Sequence, residues 1–345
     1  MSKAGQGLSP QPDPSGKQLP QGPIRKSFFH FHMTLFPFLW LAMHRFIICL
    51  LVVSAGVASA GAQTSLAQTY SAQGELIVTQ LLTAPFPHPG RAEGHRYHNE
   101  DFSAKEHYSD STVALFIPKG FRETGRIDFV VHFHGWRNHV AGVLAHYQLI
   151  EQLVASGRNA VLVVPQGPYD SPDSFGGKLE DSDGFKRFMD EVTQTLREKS
   201  ALKRKDFRIG DILLSAHSGG YQVVSAILDH GGITDHVKEV WLFDALYAQT
   251  DRFLAWFGNN RRFLDIYTEH GGTKDETEKL MATLKERGIP FFAAKEPEIT
   301  TSALRTNHVV FLFTELAHDD VVDQHHAFQQ FLETSCLEAK EAAPR

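Results

Sequence analysis

The chain has 345 residues, of which 42% are hydrophobic and 21% are charged, and its mean hydropathy is −0.24. This is the composition of an ordinary globular protein that is long enough to bury a sizeable core. Residues 63–345 contain 29 basic and 39 acidic residues, a net charge of −10. Because this charge is negative, the sequence predicts no affinity for nucleic acid or for anionic lipid.

The N-terminal part of the sequence is predicted to direct export. Residues 1–42 begin with a stretch rich in Pro, Gly, Gln and Ser, and we expect a disordered extension there, with translation starting at Met43. Residues 43–62 have the pattern of a signal peptide, with Arg45 before an apolar run and Ala-x-Ala cleavage sites that end at Ala60 and Ala62. The alternative is an uncleaved anchor over residues 28–58.

Cleavage would leave residues 63–345 as a single catalytic domain, periplasmic or extracellular, without stable membrane contact. Of the two cysteines, Cys49 lies within the predicted signal and only Cys336 remains in the processed chain. A single cysteine forms no internal disulfide, and the chain has no zinc-type cysteine cluster.

From residue 74 onward, strand-like and helix-like segments alternate. Residues 75–82 and 112–117 are expected to form an antiparallel edge. Uniformly apolar runs, typical of parallel strands buried on both faces, follow at 127–133, 160–165, 212–215, 240–243, 263–267 and 309–313. Amphipathic helices are predicted at 185–196, 221–228, 276–287 and 321–332. The pattern predicts an α/β fold with a mainly parallel, doubly wound sheet and helices on both faces.

Two long segments between these elements are predicted to be loops. Residues 85–111 are rich in His, Pro and charge, and we expect an ordered surface excursion between the two edge strands. Residues 166–183 carry turn residues throughout and directly follow a buried strand. Loops at the carboxyl ends of parallel strands usually hold substrate contacts, so 166–183 is a candidate substrate loop.

The strongest chemical signal is Ser218, which lies where an apolar strand passes directly into a helix. Such a turn strains the backbone at the serine, so the residues two before and two after must be small, as Ala216 and Gly220 are. It also exposes the hydroxyl at a helix N-terminus, where the dipole stabilises negative charge. The alternative interpretation is a plain strand–helix turn with Ser218 as the N-cap.

This segment resembles the nucleophile elbow of the α/β-hydrolases, G-x-S-x-G, with Ala216 in place of the first glycine. A His-Gly pair at His134 and Gly135, after the first buried strand, is similar to the oxyanion segment of that superfamily. The likeness covers about residues 110–335. It implies an α/β-hydrolase fold and a serine hydrolase that needs no cofactor.

The resemblance also implies roles for particular residues. Ser218 would be the nucleophile, and His318, in the loop after the last apolar strand, would be its general base. The amides of Trp136 and Gly219 would bind the oxyanion. An ester of a small molecule or a polymer is the expected substrate, with ester hydrolysis favoured over peptide hydrolysis.

Two carboxylates could supply the acid that orients His318. Members of the superfamily usually carry it after the penultimate strand, where Glu269 is the only carboxylate and Gly271 stands near the expected position. Asp244 ends the preceding buried strand and points to the same edge of the sheet. A carboxylate there is costly to bury unless it meets a partner such as His318. We therefore favour Asp244 and keep Glu269 as the alternative.

Two other functions are compatible with these motifs. A binding protein could keep the fold without the acid and have no catalytic activity. A metal-dependent hydrolase could use His132 and His134, with His139 nearby, but the Asp that such a motif needs is replaced by Trp136 and Arg137. We therefore predict no metal.

Overall fold

A nine-stranded sheet forms the centre of the protein in the computed structural model, which describes residues 66–258 and 261–340. The predicted extension and signal peptide lie outside these residues. The strands are β1 Gly74–Gln80, β2 His95–Tyr97, β3 Glu100–Phe102, β4 Thr112–Pro118, β5 Arg126–Phe133, β6 Val161–Pro165, β7 Arg208–His217, β8 Val237–Phe243, β9 Arg262–Thr268, β10 Phe292–Lys295 and β11 Val309–Thr314. Of these, β2 and β3 form a separate two-stranded hairpin.

The order of strands in the sheet is β1-β4-β6-β5-β7-β8-β9-β11-β10. Only β4 runs antiparallel to its two neighbours, and all other neighbouring pairs are parallel. The predicted antiparallel edge and the six apolar strands are thus confirmed. The edge strand β10 and the β2–β3 hairpin were not predicted, because short strands that are partly exposed have no long apolar run.

Helices cover both faces of the sheet, as a doubly wound fold requires. The helices are α1 Ala104–His107, α2 Val140–His146, α3 Leu149–Ser156, α4 Gly184–Lys199, α5 Tyr221–His230, α6 Thr250–Trp256, α7 Lys274–Glu286, α8 Thr301–Thr306 and α9 Ala327–Thr334. One layer contains α4–α7 and the other contains α2, α3, α8 and α9. No helix within residues 66–258 and 261–340 is both long and apolar enough to span a lipid bilayer.

The strands are apolar because successive side chains enter opposite hydrophobic layers. In β5, Phe129 and Val131 belong to the layer under α4–α7, whereas Val130 belongs to the other. The amphipathic stripe predicted on α4 is buried as expected, including Phe185 and Phe188. The apolar pattern of this chain therefore determines its layer architecture.

The prediction for the last helix was wrong in its start. We expected a helix over 321–332, but α9 begins at Ala327. His325 and His326, expected on that helix, have left-handed φ values of 59° and 54°, which no α-helix accommodates. Asp319 and Asp320, just before the expected helix, lie in a separate 3₁₀ turn, His318–Asp320.

Asp265 is a buried carboxyl group within β9. Its side chain is fully buried, one oxygen accepts a hydrogen bond from the Thr277 hydroxyl at 2.8 Å, and the other has no partner. Burial raises the pKa of Asp265 from 3.8 to about 8, with Asp244 as a further unfavourable charge. The folded protein therefore holds a proton here that the unfolded chain releases at lower pH.

We expect the free energy of unfolding to fall as the pH rises from about 4 to about 8, because the folded state binds more protons than the unfolded state in that range. Asp265→Asn removes this ionisation and should be more stable than the wild type at pH 8.5 by more than ~1 kcal/mol. Urea unfolding at pH 5 and pH 8.5 measures this difference, with the exposed Asp235→Asn as control. Equal pH dependence in all three proteins would contradict the assignment.

Candidate active site

Ser218 lies in a tight turn between β7 and α5. The strand ends at His217, a 3₁₀ turn covers Ser218–Gly220, and α5 starts at Tyr221. Ser218 has a left-handed φ of 52°, a strained conformation for a serine. A Cβ on Gly220 would lie 2.6 Å from the Phe133 carbonyl oxygen, so the close crossing of β5 requires glycine there.

His318 and Asp244 meet beside this turn. The Nδ1 atom of His318 lies 2.6 Å from Oδ2 of Asp244, and since a carboxylate only accepts, the imidazole donates. This bond places the proton on Nδ1 and leaves Nε2 with its lone pair. Asp244 is fully buried, whereas His318 is partly exposed. The structure therefore brings together the predicted base and the favoured acid.

Asp244 holds several hydrogen bonds besides the one from His318. The Thr268 hydroxyl donates to Oδ2 at 2.8 Å, the Thr268 amide donates to Oδ1 at 3.3 Å, and the Thr273 hydroxyl also donates to Oδ1. Burial raises the pKa of Asp244, but the hydrogen bonds from His318, Thr273 and Thr268 outweigh it and hold the pKa below 3.8. The group is thus a buried carboxylate and not a helix cap, since α6 starts only at Thr250.

The alternative acid, Glu269, lies elsewhere. Its carboxylate is exposed and hydrogen-bonds the Lys274 ammonium at 2.6 and 2.8 Å, and this pairing lowers its pKa. Gly271 is the position where the superfamily resemblance placed an acid. A Cβ on Gly271 would lie 1.6 Å from Oδ2 of Asp244, so the Asp244 carboxylate already fills that space.

His217 is a site residue that sequence reasoning missed. Its Nε2 donates to the His318 carbonyl oxygen at 2.9 Å, and its Nδ1 accepts from the Tyr147 hydroxyl at 2.9 Å. Its ring lies 4.6 Å from the ring of His318. Burial, together with the nearby His318, lowers the pKa of His217 to about 4, so the ring is neutral near pH 7. Only its place next to Ser218 could have indicated its importance.

A cavity of about 200 Å³ adjoins Ser218. The Trp136 indole, predicted only for its backbone amide, donates from Nε1 to the Ser174 hydroxyl at 2.8 Å. The Tyr247 hydroxyl donates a hydrogen bond to the Gly271 carbonyl oxygen at 2.6 Å. Burial raises the pKa of Tyr247 to about 12, and a side-chain hydrogen bond with Ser218 partly offsets this rise. The lining residues are Trp136, Ser174, Ser218, Gly219, Tyr221 and Tyr247.

The two predicted loops are packed together near this cavity. Arg91, in the 85–111 excursion, forms two hydrogen bonds with Asp173 in the 166–183 loop, at 2.6 and 2.9 Å. Tyr97 of the excursion packs edge-on against Trp136, with ring centroids 5.1 Å apart. Ser174 brings the candidate substrate loop to the cavity wall. The excursion is ordered, as predicted, and supports the cavity from behind Trp136.

The order of strands and the position of the turn together identify the fold. β7 is central, and the turn at its carboxyl end carries Ser218 beside His318 and Asp244, which follow β11 and β8. A serine on a strained strand-to-helix turn at this end of such a sheet is the defining feature. The chain has an α/β-hydrolase fold.

Comparisons with known proteins find solved structures that are similar to this chain at low sequence identity. No family model and no curated protein matches the chain. A solved structure of a Staphylococcus aureus fluorophosphonate-binding serine hydrolase has a TM-score of 0.45 and 11% identity, covering 76% of this chain and 99% of its own. The structure of a ferulic acid esterase has a TM-score of 0.46 and 12% identity, and the match covers 75% of this chain and 99% of the esterase. The structure of an esterase from Pyrobaculum calidifontis has a TM-score of 0.42 and 14% identity, and the match covers 80% of this chain and 85% of the esterase.

The histidines proposed for a metal site do not form one group. His134 uses both ring nitrogens within the protein, Nδ1 with the Gly135 carbonyl and Nε2 with the Gly167 amide. Within the described residues, the one cluster of three potential ligands is His217, His318 and Asp319. Both ring nitrogens of His217 are already hydrogen-bonded. The geometry therefore lends no support to the metal-dependent alternative.

Proposed function

We propose that this protein is a serine hydrolase that cleaves carboxylic esters through an acyl-enzyme on Ser218. The observation that carries the proposal is the 2.6 Å hydrogen bond from His318 to the buried Asp244, beside a serine on a strained turn. A carboxylate that accepts from Nδ1 fixes the imidazole tautomer and stabilises the imidazolium that forms during reaction. Such an arrangement activates a serine hydroxyl.

In the proposed first step, Ser218 Oγ turns from Tyr247 toward His318 Nε2 and gives it its proton. The oxygen attacks the ester carbonyl, and the amides of Trp136 and Gly219 bind the oxyanion. The imidazolium then donates its proton to the departing alkoxide, which leaves as the alcohol. Water, deprotonated by His318, attacks the acyl-enzyme and releases the acid, and the proton returns to Ser218.

Esters are proposed in preference to peptides because of the size of the cavity. A volume of about 200 Å³ beside Ser218 accommodates one small group and not a series of peptide side chains. Export through residues 43–62 to the periplasm or the extracellular space is also part of the proposal. That part is supported by the sequence pattern of the segment alone.

Labelling with a fluorophosphonate probe tests the proposal, since this reagent reacts with an activated serine. We expect the wild-type protein to be labelled and to hydrolyse p-nitrophenyl acetate, and Ser218→Ala to lose both, with activity reduced by about 10⁴-fold or more. The exposed Ser182→Ala serves as the matched control. An unlabelled, folded wild type would favour the binding protein without activity, and loss of activity in EDTA would favour the metal-dependent hydrolase.

The acid is tested by a pair of isosteric substitutions. Asp244→Asn should lower kcat/KM for one ester by about 10³–10⁴-fold, because an amide in this place favours the wrong tautomer of His318. Glu269→Gln should lower it less than about tenfold, since this side chain pairs only with Lys274 on the surface. Circular dichroism and thermal unfolding check that both variants fold. The reverse ranking of the two would assign the acid to Glu269.

A further inference from the structure

The cavity beside Ser218 has walls that are mostly aromatic. Trp136, Tyr221 and Tyr247 provide three of its six lining residues, and none of the six carries a charge at neutral pH. The ring centroids of Tyr221 and Tyr247 lie 5.8 Å apart with the planes tilted by 41°. We propose that this cavity is a subsite for a planar aromatic group of the ester, and that it excludes long alkyl chains. This inference rests on the proposed function.

The aromatic walls are held in place before a substrate arrives. The Trp136 indole is oriented by its hydrogen bond to Ser174 and by the edge of Tyr97. Tyr247 is fixed by its hydrogen bond to the Gly271 carbonyl oxygen. Rigid rings favour a flat aromatic partner over a puckered alkyl ring of equal size, because offset and edge-to-face contacts add to the burial of apolar surface.

The volume limits what the subsite can hold. An apolar cavity of about 150 Å³ is large enough for benzene. The present cavity of about 200 Å³ therefore holds one six-membered ring with a short linker to the ester carbon. A dodecanoyl chain would leave most of its length outside. Apolar groups left in water gain none of the free energy of burial, so lengthening the chain beyond what the cavity holds should not raise kcat/KM.

The test compares esters that differ only in the planarity of one ring. Methyl phenylacetate and methyl cyclohexylacetate place the ring on the acyl side, and benzyl acetate and cyclohexylmethyl acetate place it on the alcohol side. We expect kcat/KM to be at least tenfold higher for the aromatic ester in one pair, and that pair identifies the group that enters the cavity. Methyl laurate should be hydrolysed no more efficiently than methyl hexanoate.

Variants at Tyr221 relate the preference to this cavity. Tyr221→Leu should lower the aromatic preference below threefold, and Tyr221→Phe should retain the preference. Tyr169→Leu, at an exposed tyrosine outside the cavity, is the matched control. Ratios near one in both pairs, or a preference that survives in Tyr221→Leu, overturn the subsite while hydrolysis dependent on Ser218 continues. If none of these esters is hydrolysed, the proposed function fails as well.

A second inference comes from the contacts of His217. Its Nε2–H donates a hydrogen bond to the His318 carbonyl oxygen. The Tyr147 hydroxyl donates to Nδ1 of the same ring, and this second hydrogen bond keeps the ring proton on Nε2. The bond to Asp244 positions the other end of His318. We infer that His217 is a positioning residue that sets the place of His318, and that it does not itself touch the substrate.

Substitutions that keep or remove the donor test this role. His217→Leu removes the N–H and should lower kcat at least 20-fold with KM changed less than threefold, and the proton NMR signal of the His318–Asp244 hydrogen bond should shift or broaden. His217→Gln has an amide donor and should restore kcat to within fivefold of the wild type. If His217→Leu does not fold, Tyr147→Phe should still lower kcat at least threefold. Equal loss in His217→Leu and His217→Gln, or an unchanged kcat in Tyr147→Phe, overturns the inference.

Discussion

The buried charge of Asp244 is the constraint on which the site depends. An ionised carboxylate with no exposed surface is highly unfavourable unless donors surround it. Here the donors come from the end of β9 through Thr268, from the loop before α7 through Thr273, and from the loop after β11 through His318. Each segment donates a hydrogen bond to the same carboxylate. The carboxylate therefore fixes both ends of the connection between β9 and α7 and the loop after β11, and the imidazole is positioned as one of its hydrogen-bond partners.

Packing around the same carboxylate explains why the side chain in this place comes from the end of β8 and not from the loop after β9. β8 and β9 are parallel neighbours, so their carboxyl ends open on one space between them. The Asp244 side chain fills that space and leaves only 1.6 Å to the Cβ of any side chain at position 271. An acid from one strand end thus excludes an acid from the other. The aspartate at position 244 therefore packs in this place only because position 271 is a glycine.

The sequence predicted the elements and residues that a local pattern identifies, and it missed the residues whose role depends on contacts between distant parts of the chain. The six uniformly apolar strands were predictable because nearly every side chain along them is buried. Ser218 was predictable because a strand joined directly to a helix requires small neighbours at fixed offsets. His217 and Tyr247 were missed, since their partners lie 101 and 24 residues away in the chain. The helix expected over 321–332 was wrong because buried Val321 and Val322 continue the apolar pattern across left-handed residues that interrupt the helix.

Backbone strain recurs at the two residues that matter most for the proposed chemistry. Ser218 and Asp244 have φ values of 52° and 45°, and each directly follows the last residue of its strand, β7 and β8. A left-handed residue at that point turns the chain sharply. Its side chain then points away from the carboxyl end of the sheet and not into either hydrophobic layer. Strain of this kind persists only where surrounding packing enforces it. The parallel pairing of β7 with β8, with His217 opposite Phe243, sets these two turns side by side, and His318 reaches Asp244 beside them.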